Sequence, residues 1–220
     1  MRKNKNLVII PARGGSKGVP NKNIIDFNGK PLIEWTFECI KNSKAVTNWI
    51  VSTDDKNIAS VSAQYGASVP FIRPKYLATD ESTSLDVVRH AIEFVEKKDN
   101  IKIDWLLILQ PTTPLRTKND IRKAVGLIKN KNVDTVVSVC KAEHTHPLKM
   151  KKINNGFLYL YMNEASWEVR KQDLSPSAYM TNGSIYLTKR DVIMNGDLVG
   201  EFVKPYIMPE NRSIDIDNEI

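Results

Sequence analysis

The chain has 220 residues, 41% of them hydrophobic and 26% charged, with 32 Lys and Arg against 25 Asp and Glu for a formal net charge of +7. That balance excludes wholesale disorder and supplies enough apolar side chains for one core of ordinary domain size. Two cysteines, Cys39 and Cys140, exclude a disulfide framework, and no apolar run reaches the length of a bilayer span.

Residues 7–10 predict a buried strand. Pro11 and Arg13 cut it off before it reaches the length of a signal-peptide core, so a cytoplasmic protein is expected. The loop that follows, Ile10-Pro11-Ala12-Arg13-Gly14-Gly15-Ser16-Lys17-Gly18-Val19-Pro20, matches neither the Walker A nor the G-x-G-x-x-G pattern. Its physics is similar all the same. Gly14 and Gly15 let backbone amides approach an anion, Arg13 adds a planar fork and Lys17 a mobile point charge. Residues 1–30 hold seven Lys and Arg against one acid, and four of the seven fall in or just after this loop. The positive charge therefore points to a phosphate pocket instead of a broad nucleic-acid face. Aromatic and basic residues are not interleaved in the way that stacks single-stranded bases.

Pro31 opens a predicted helix running to Lys41, with Leu32, Trp35, Phe37 and Ile40 as its apolar residues. A strand at 49–51 follows. Asp54 or Asp55 then caps a second helix, with Ile58, Val61 and Tyr65 on one side and Gly66 as its stop. Arg73-Pro74 reads as loop. Ser84 reads as the N-cap of a third helix, to Lys97, that turns Val88, Ala91, Ile92 and Val95 inward. A strand at 106–109, a helix at 118–129 and a strand at 133–139 continue the alternation. It implies right-handed βαβ units and an α/β fold: a mostly parallel sheet with helices on both faces, one domain over 1–220, binding ligands at the carboxyl ends of its strands.

After Cys140 the rhythm breaks. Residues 150–153 and 157–162 flank Asn154-Asn155-Gly156, a hairpin pattern, and residues 141–180 read as a lid or dimer arm leaving the core. His144 and His146 lack the further ligands that zinc needs and read as a polar loop. Short strands are predicted at 183–187, 205–208 and 214–216. In the last, Asp215 and Asp217 would share a face while Ile216 turns to the core, and two hard oxygen donors suit Mg²⁺. The alternative is an edge strand with its acids in water. Earlier in the chain, Gln110-Pro111-Thr112-Thr113-Pro114-Leu115-Arg116 follows the 106–109 strand as a loop stiffened by two prolines, offering amide and hydroxyl groups to a sugar.

Residues 10–24, reading IPARGGSKGVPNKNI, resemble the acylneuraminate cytidylyltransferase family, the CMP-sialic acid synthetases. The resemblance continues at Arg73-Pro74, at Leu77-Ala78-Thr79-Asp80 with Ser84, at 110–116, at Asn182-Gly183-Ser184-Ile185-Tyr186 and at Ile214-Asp215-Ile216-Asp217. It covers nearly the whole chain in order. It implies a Rossmann-like nucleotidyltransferase fold and transfer of CMP from CTP to the anomeric hydroxyl of a sialic-acid-like nonulosonic acid. Carried over residue by residue, it implies that Ala12, Arg13, Gly14, Gly15, Ser16, Lys17 and Asn23 hold the nucleotide, with Arg73 and Ser84 beside the cytosine. Gln110 would read the sugar. Arg170, in Arg170-Lys171-Gln172-Asp173-Leu174, would meet its carboxylate, and Lys149, of this chain or a partner subunit, would approach the same pocket. Asp215 and Asp217 would bind Mg²⁺, and Arg13, Lys17 and Asp217 would be catalytic. A homodimer through the 141–180 arm is expected, with neither nucleic acid nor membrane as partner. Family members often carry an Arg just before Asn-Gly where this chain has Met180-Thr181, which points to a less polar acid such as a deoxy, legionaminic-type sugar. An eight-carbon ulosonic acid cytidylyltransferase, another sugar nucleotidyltransferase and a nucleotide- or RNA-binding module are the alternatives.

Overall fold

The computed structural model describes residues 5–15, 18–129 and 132–217. Along the chain run β1 (Asn6–Pro11), α1 (Leu32–Ser43), β2 (Asn48–Ser52), α2 (Lys56–Gln64), α3 (Ser84–Asp99), β3 (Trp105–Ile108), α4 (Lys118–Leu127), β4 (Thr135–Lys141), β5 (Lys151–Asn154), β6 (Phe157–Leu160), β7 (Tyr179–Lys189), α5 (Arg190–Met194) and β8 (Val203–Met208). Six strands form one sheet in the order β2-β1-β3-β7-β4-β8. Every pairing is parallel except those of β7, which runs against both neighbours.

Strand alternation sends side chains to opposite faces, and helices cover both. Val8 and Ile10 of β1 pack with Phe37, Ile40, Ile58 and Ile121 on one side. Leu7 and Ile9 pack with Val88, Ile92 and Val95 on the other. The mostly parallel α/β architecture expected from the alternation is therefore present.

The helix starts follow local chemistry. Asp55, not Asp54, caps α2, its Oδ1 accepting from the Asn57 and Ile58 amides at 2.7 and 3.0 Å. Gly66 ends that helix at φ +78°. The expected cap at Ser84 moves back one residue. Thr83 is the N-cap of α3, its hydroxyl accepting from the Asp86 amide at 3.1 Å, and Ser84 is the first helical residue.

Within 141–180, β5 and β6 pair as a separate two-stranded sheet. Asn155 at φ 49° and Gly156 at φ 80° supply the two positive angles that a tight hairpin turn needs. Tyr179 and Met180 already belong to β7. Residues 214–216 do not form the expected strand. The segment lies on the loop after β3 and not along a strand, and among the described residues its backbone bonding to that loop is the bond from the Ile216 amide to the Thr112 carbonyl, at 2.8 Å. Ile216 is half-buried there instead of entering the core. Among the described residues no helix is long and apolar enough to cross a membrane.

Candidate functional site

A cavity of about 490 Å³ opens at the carboxyl ends of β1 and β3, where a doubly wound sheet binds its ligands. Its lining includes Arg13, Gly18, Lys22 and Asn23 from the opening loop and its continuation, and Arg73, Ala78 and Ser84 from the segment that leads into α3. Ile108 and Tyr186 of the sheet, Gln110 and Thr112 of the loop after β3, and Asp217 of the tail also line it. Ser84 faces this space because Thr83 has taken over the capping role.

The opening loop is braced from inside. Asn23 is buried, and its Nδ2 donates to the Arg13 carbonyl at 3.0 Å. The Ala12 amide is already spent on the Ser52 carbonyl at 3.0 Å and its side chain is buried, so only its carbonyl is left to meet a ligand. Gly14 donates its amide to Asp54 at 3.1 Å. A Cβ at Gly14 would stand 2.7 Å from Asp55 Oδ2, so this position has no room for a side chain. Gly15 has open space around it. Ser16 and Lys17 lie outside the described residues.

Arg73 is only 4% exposed, and Asp54 Oδ1 accepts from its Nη2 at 3.4 Å. Burial holds its guanidinium below the usual value, while Asp54 pulls the other way. Its Nε has no hydrogen-bond partner among the described residues. Such a donor favours a ligand with acceptor atoms. Arg13 reaches across the mouth to Asp80 at 3.0 Å.

Beside Gln110, Gly183 adopts φ +68°, and a Cβ there would lie 3.2 Å from both Asp215 Oδ2 and Gln110 Oε1. The missing side chain lets a carboxylate and an amide meet over one backbone atom. Burial, and then the charge of Asp217, push the Asp215 carboxyl up, against a hydrogen bond from Thr112. Asp217 is exposed and accepts from the Lys22 ammonium at 3.1 Å. No cluster of three or more His, Cys, Asp or Glu able to hold a metal occurs among the described residues. The pair would need substrate oxygens to complete a shell, as magnesium sites commonly do.

Asp217 lines the cavity, but Asp215, Lys149 and Arg170 do not. Lys149 Nζ donates to the Glu143 carbonyl at 3.1 Å, and Arg170 pairs with Asp173 at 2.6 Å while remaining 73% exposed. His146 is buried: its Nδ1 accepts from the Leu148 amide at 3.2 Å and its Nε2 faces the Pro176 carbonyl at 3.0 Å, as a structural loop residue.

Three contributors were not visible beforehand. Lys22 counted only as one of the loop's cations; its contact with Asp217 spans 195 positions. Asp54, one of two capping candidates in the sequence, instead joins Gly14 to Arg73. Arg116 was only a letter in a motif, yet it is buried and ties Ser184 O at 2.6 Å, Thr113 Oγ1 at 3.0 Å and Thr36 Oγ1 at 2.9 Å into one bracket behind Gln110.

Over residues 7–197 the chain matches the family model described as Cytidylyltransferase. It is 35% identical over 217 residues to the pseudaminic acid cytidylyltransferase of Campylobacter jejuni, covering 97% of this chain and 91% of that protein. It is 37% identical over 226 residues to the CMP-N,N'-diacetyllegionaminic acid synthase of Legionella pneumophila, again covering 97% and 91%. Among solved structures, a CMP:2-keto-3-deoxy-manno-octonic acid synthetase complexed with CTP has the same fold, with a TM-score of 0.69 over 98% of this chain and 94% of that chain at 19% identity.

Proposed function

The chain belongs to the cytidylyltransferase family, and from that premise we propose that it transfers CMP from CTP to the anomeric hydroxyl of a nonulosonic sugar acid. The hydroxyl oxygen bonds to the α-phosphorus, the bond to the β-phosphate breaks, the hydroxyl proton is lost and pyrophosphate leaves. The observation that carries this reading is one cavity whose lining combines the cations Arg13 and Lys22, the buried Arg73 and the carboxylate of Asp217. The sugar class rests on relatives named for pseudaminic and legionaminic acids.

In this scheme Arg73 and Ser84 hold the base, and Arg13 exchanges Asp80 for the phosphates. Lys17 joins it on the pyrophosphate. Such chemistry depends on positioning and on neutralising charge as it develops. Gln110 orients the sugar beside Asp215. The carboxylate pair fits Mg²⁺: its donors are hard oxygens, and Asp217 already draws an ammonium to 3.1 Å. When bound, the ion would supply charge neutralisation at the phosphate and acidify the attacking hydroxyl.

A homodimer and a cytoplasmic setting, where CTP is available, belong to the same proposal. Support for the dimer is the apolar hairpin: Ile153 is 76%, Phe157 68% and Leu158 50% exposed, a grouping monomers rarely leave in water. A second copy packed there would be the source of Lys149 and Arg170 at a neighbouring cavity. The test is pyrophosphate release from CTP and magnesium over a panel of sialic, legionaminic, pseudaminic and eight-carbon ulosonic acids. Release with a nine-carbon acid supports the proposal; silence across the panel sinks it, and release with the eight-carbon acid alone replaces its substrate.

A further inference from the structure

Asp215 and Asp217 sit on a tail with little to hold it by apolar packing. Ile214 is 48% exposed, and Asn211 and Asp217 are also exposed. What fixes the tail is polar, and its centre is Asp120, the third residue of α4 and only 2% exposed. Both Asp120 oxygens are fully engaged. Oδ2 accepts from the Thr117 amide and hydroxyl, each at 2.7 Å, and from Arg212 Nη1. Oδ1 accepts from the Tyr206 hydroxyl at 2.7 Å and from Arg212 Nη2 at 3.1 Å. One carboxylate therefore joins the start of α4, the edge strand β8 and the tail. Arg212 adds a bond to the Leu115 carbonyl at 3.4 Å, so its guanidinium also touches the loop that carries Gln110.

Downstream of this fork there is little slack. Ser213 Oγ accepts from Asn182 Nδ2 at 2.8 Å, next to Gly183. The Ile216 amide donates to the Thr112 carbonyl at 2.8 Å, between the two carboxylates. A bidentate guanidinium–carboxylate pair has planar geometry and little rotational freedom, unlike the exposed single-prong contact of Lys22 with Asp217.

We propose that Asp120 and Arg212 are positioning residues for the Asp215–Asp217 pair, clasping the tail so that Asp217 on the cavity lining and Asp215 beside Gln110 are held in a fixed register. Their contribution is to metal affinity and not to nucleotide binding. The proposal rests on the metal reading of the pair given above.

Two readouts on the full chain test it. The first needs no metal: hydrogen exchange of the peptide covering 209–217. In Arg212→Met that peptide should exchange about 10-fold faster or more, because the bond from the Ile216 amide to the Thr112 carbonyl loses its anchor. The second is the magnesium concentration at half-maximal pyrophosphate release. It should rise about 10-fold or more in Arg212→Met, as when a partner behind a metal ligand is removed, with CTP affinity measured in EDTA unchanged. Arg212→Lys, which keeps the charge but not the fork, should fall between. Unchanged exchange overturns the clasp. So does an unchanged magnesium requirement when Asp217→Ala, run alongside, raises it, and so does an equal loss of CTP affinity. If Asp215→Ala and Asp217→Ala both leave the magnesium requirement untouched, the metal reading itself fails and the proposal falls with it; the exchange result then shows only how the tail is held.

Discussion

Lys22 and Asp217 meet at 3.1 Å across almost the whole length of the chain, joining the phosphate-loop region to the tail. The lysine side chain is 12% exposed and the aspartate 72%. A pair that open at one end adds at most about 1 kcal/mol to stability, so its position at the cavity argues for a role in binding charge. Lys22→Met should leave the melting temperature nearly unchanged and lower kcat by about 100-fold, the scale of losing one preorganised charge donor. Pyrophosphate release with saturating CTP measures it. Turnover equal to the parent's would reduce the contact to a surface ion pair.

Gly183→Ala should be costly in two separable ways. The left-handed backbone at φ +68° disfavours a Cβ by about 1–2 kcal/mol, visible as a lower melting temperature. The new methyl would also press on Asp215 Oδ2 and Gln110 Oε1, each 3.2 Å away, and spread the carboxylate from the amide. Activity should therefore fall further than stability explains. A variant that is less stable but fully active at low temperature would show that this close approach has no catalytic consequence.

Much of the fold was legible because short apolar runs and helical spacing repeat locally. Residues 7–10 and 106–109 needed no information from elsewhere to read as strands. The start of α3 was legible only to within one residue: the reading at Ser84 overlooks Thr83, whose hydroxyl accepts from the Asp86 amide and donates to the Asp86 carboxylate. The tail failed for a different reason. Alternation in Asp215-Ile216-Asp217 implies a strand only where a neighbouring strand exists to pair with, and the partner turned out to be a loop. The bonds from Lys22 to Asp217 and from Asp120 to Arg212 are long-range charge pairings among many possible ones, and spacing alone cannot select between them.

Asp120 makes a prediction about pH. Burial alone would push its carboxyl up, but hydrogen bonds from Arg212, Thr117 and Tyr206 outweigh it and bring the pKa down from 3.8 to about 2. The folded value lies below the unfolded one. The stabilisation is therefore complete above about pH 4 and is lost as the pH falls towards 2, an effect of about 2 kcal/mol. Denaturant unfolding from pH 6 to pH 2 should show Asp120→Asn losing less stability than the parent over that acid limb. Parallel curves would mean that the group is not held in its charged form.

Arg170 decides whether the cavity is complete within one chain. Its guanidinium is spent on Asp173 at 2.6 Å, stands 73% exposed and does not line the cavity, so nothing among the described residues presents it to a sugar acid. If a second copy docks on the β5–β6 hairpin and supplies Arg170, then Arg170→Ala should raise the KM for the sugar acid about 10-fold or more and leave the KM for CTP alone, because only the carboxylate contact is lost. Phe157→Asp, which places a charge in the exposed apolar hairpin, should give a monomer by sedimentation with the same selective defect. Equal changes in both KM values would make Arg170 a structural partner of Asp173, and a fully active monomer would confine every substrate contact to a single chain.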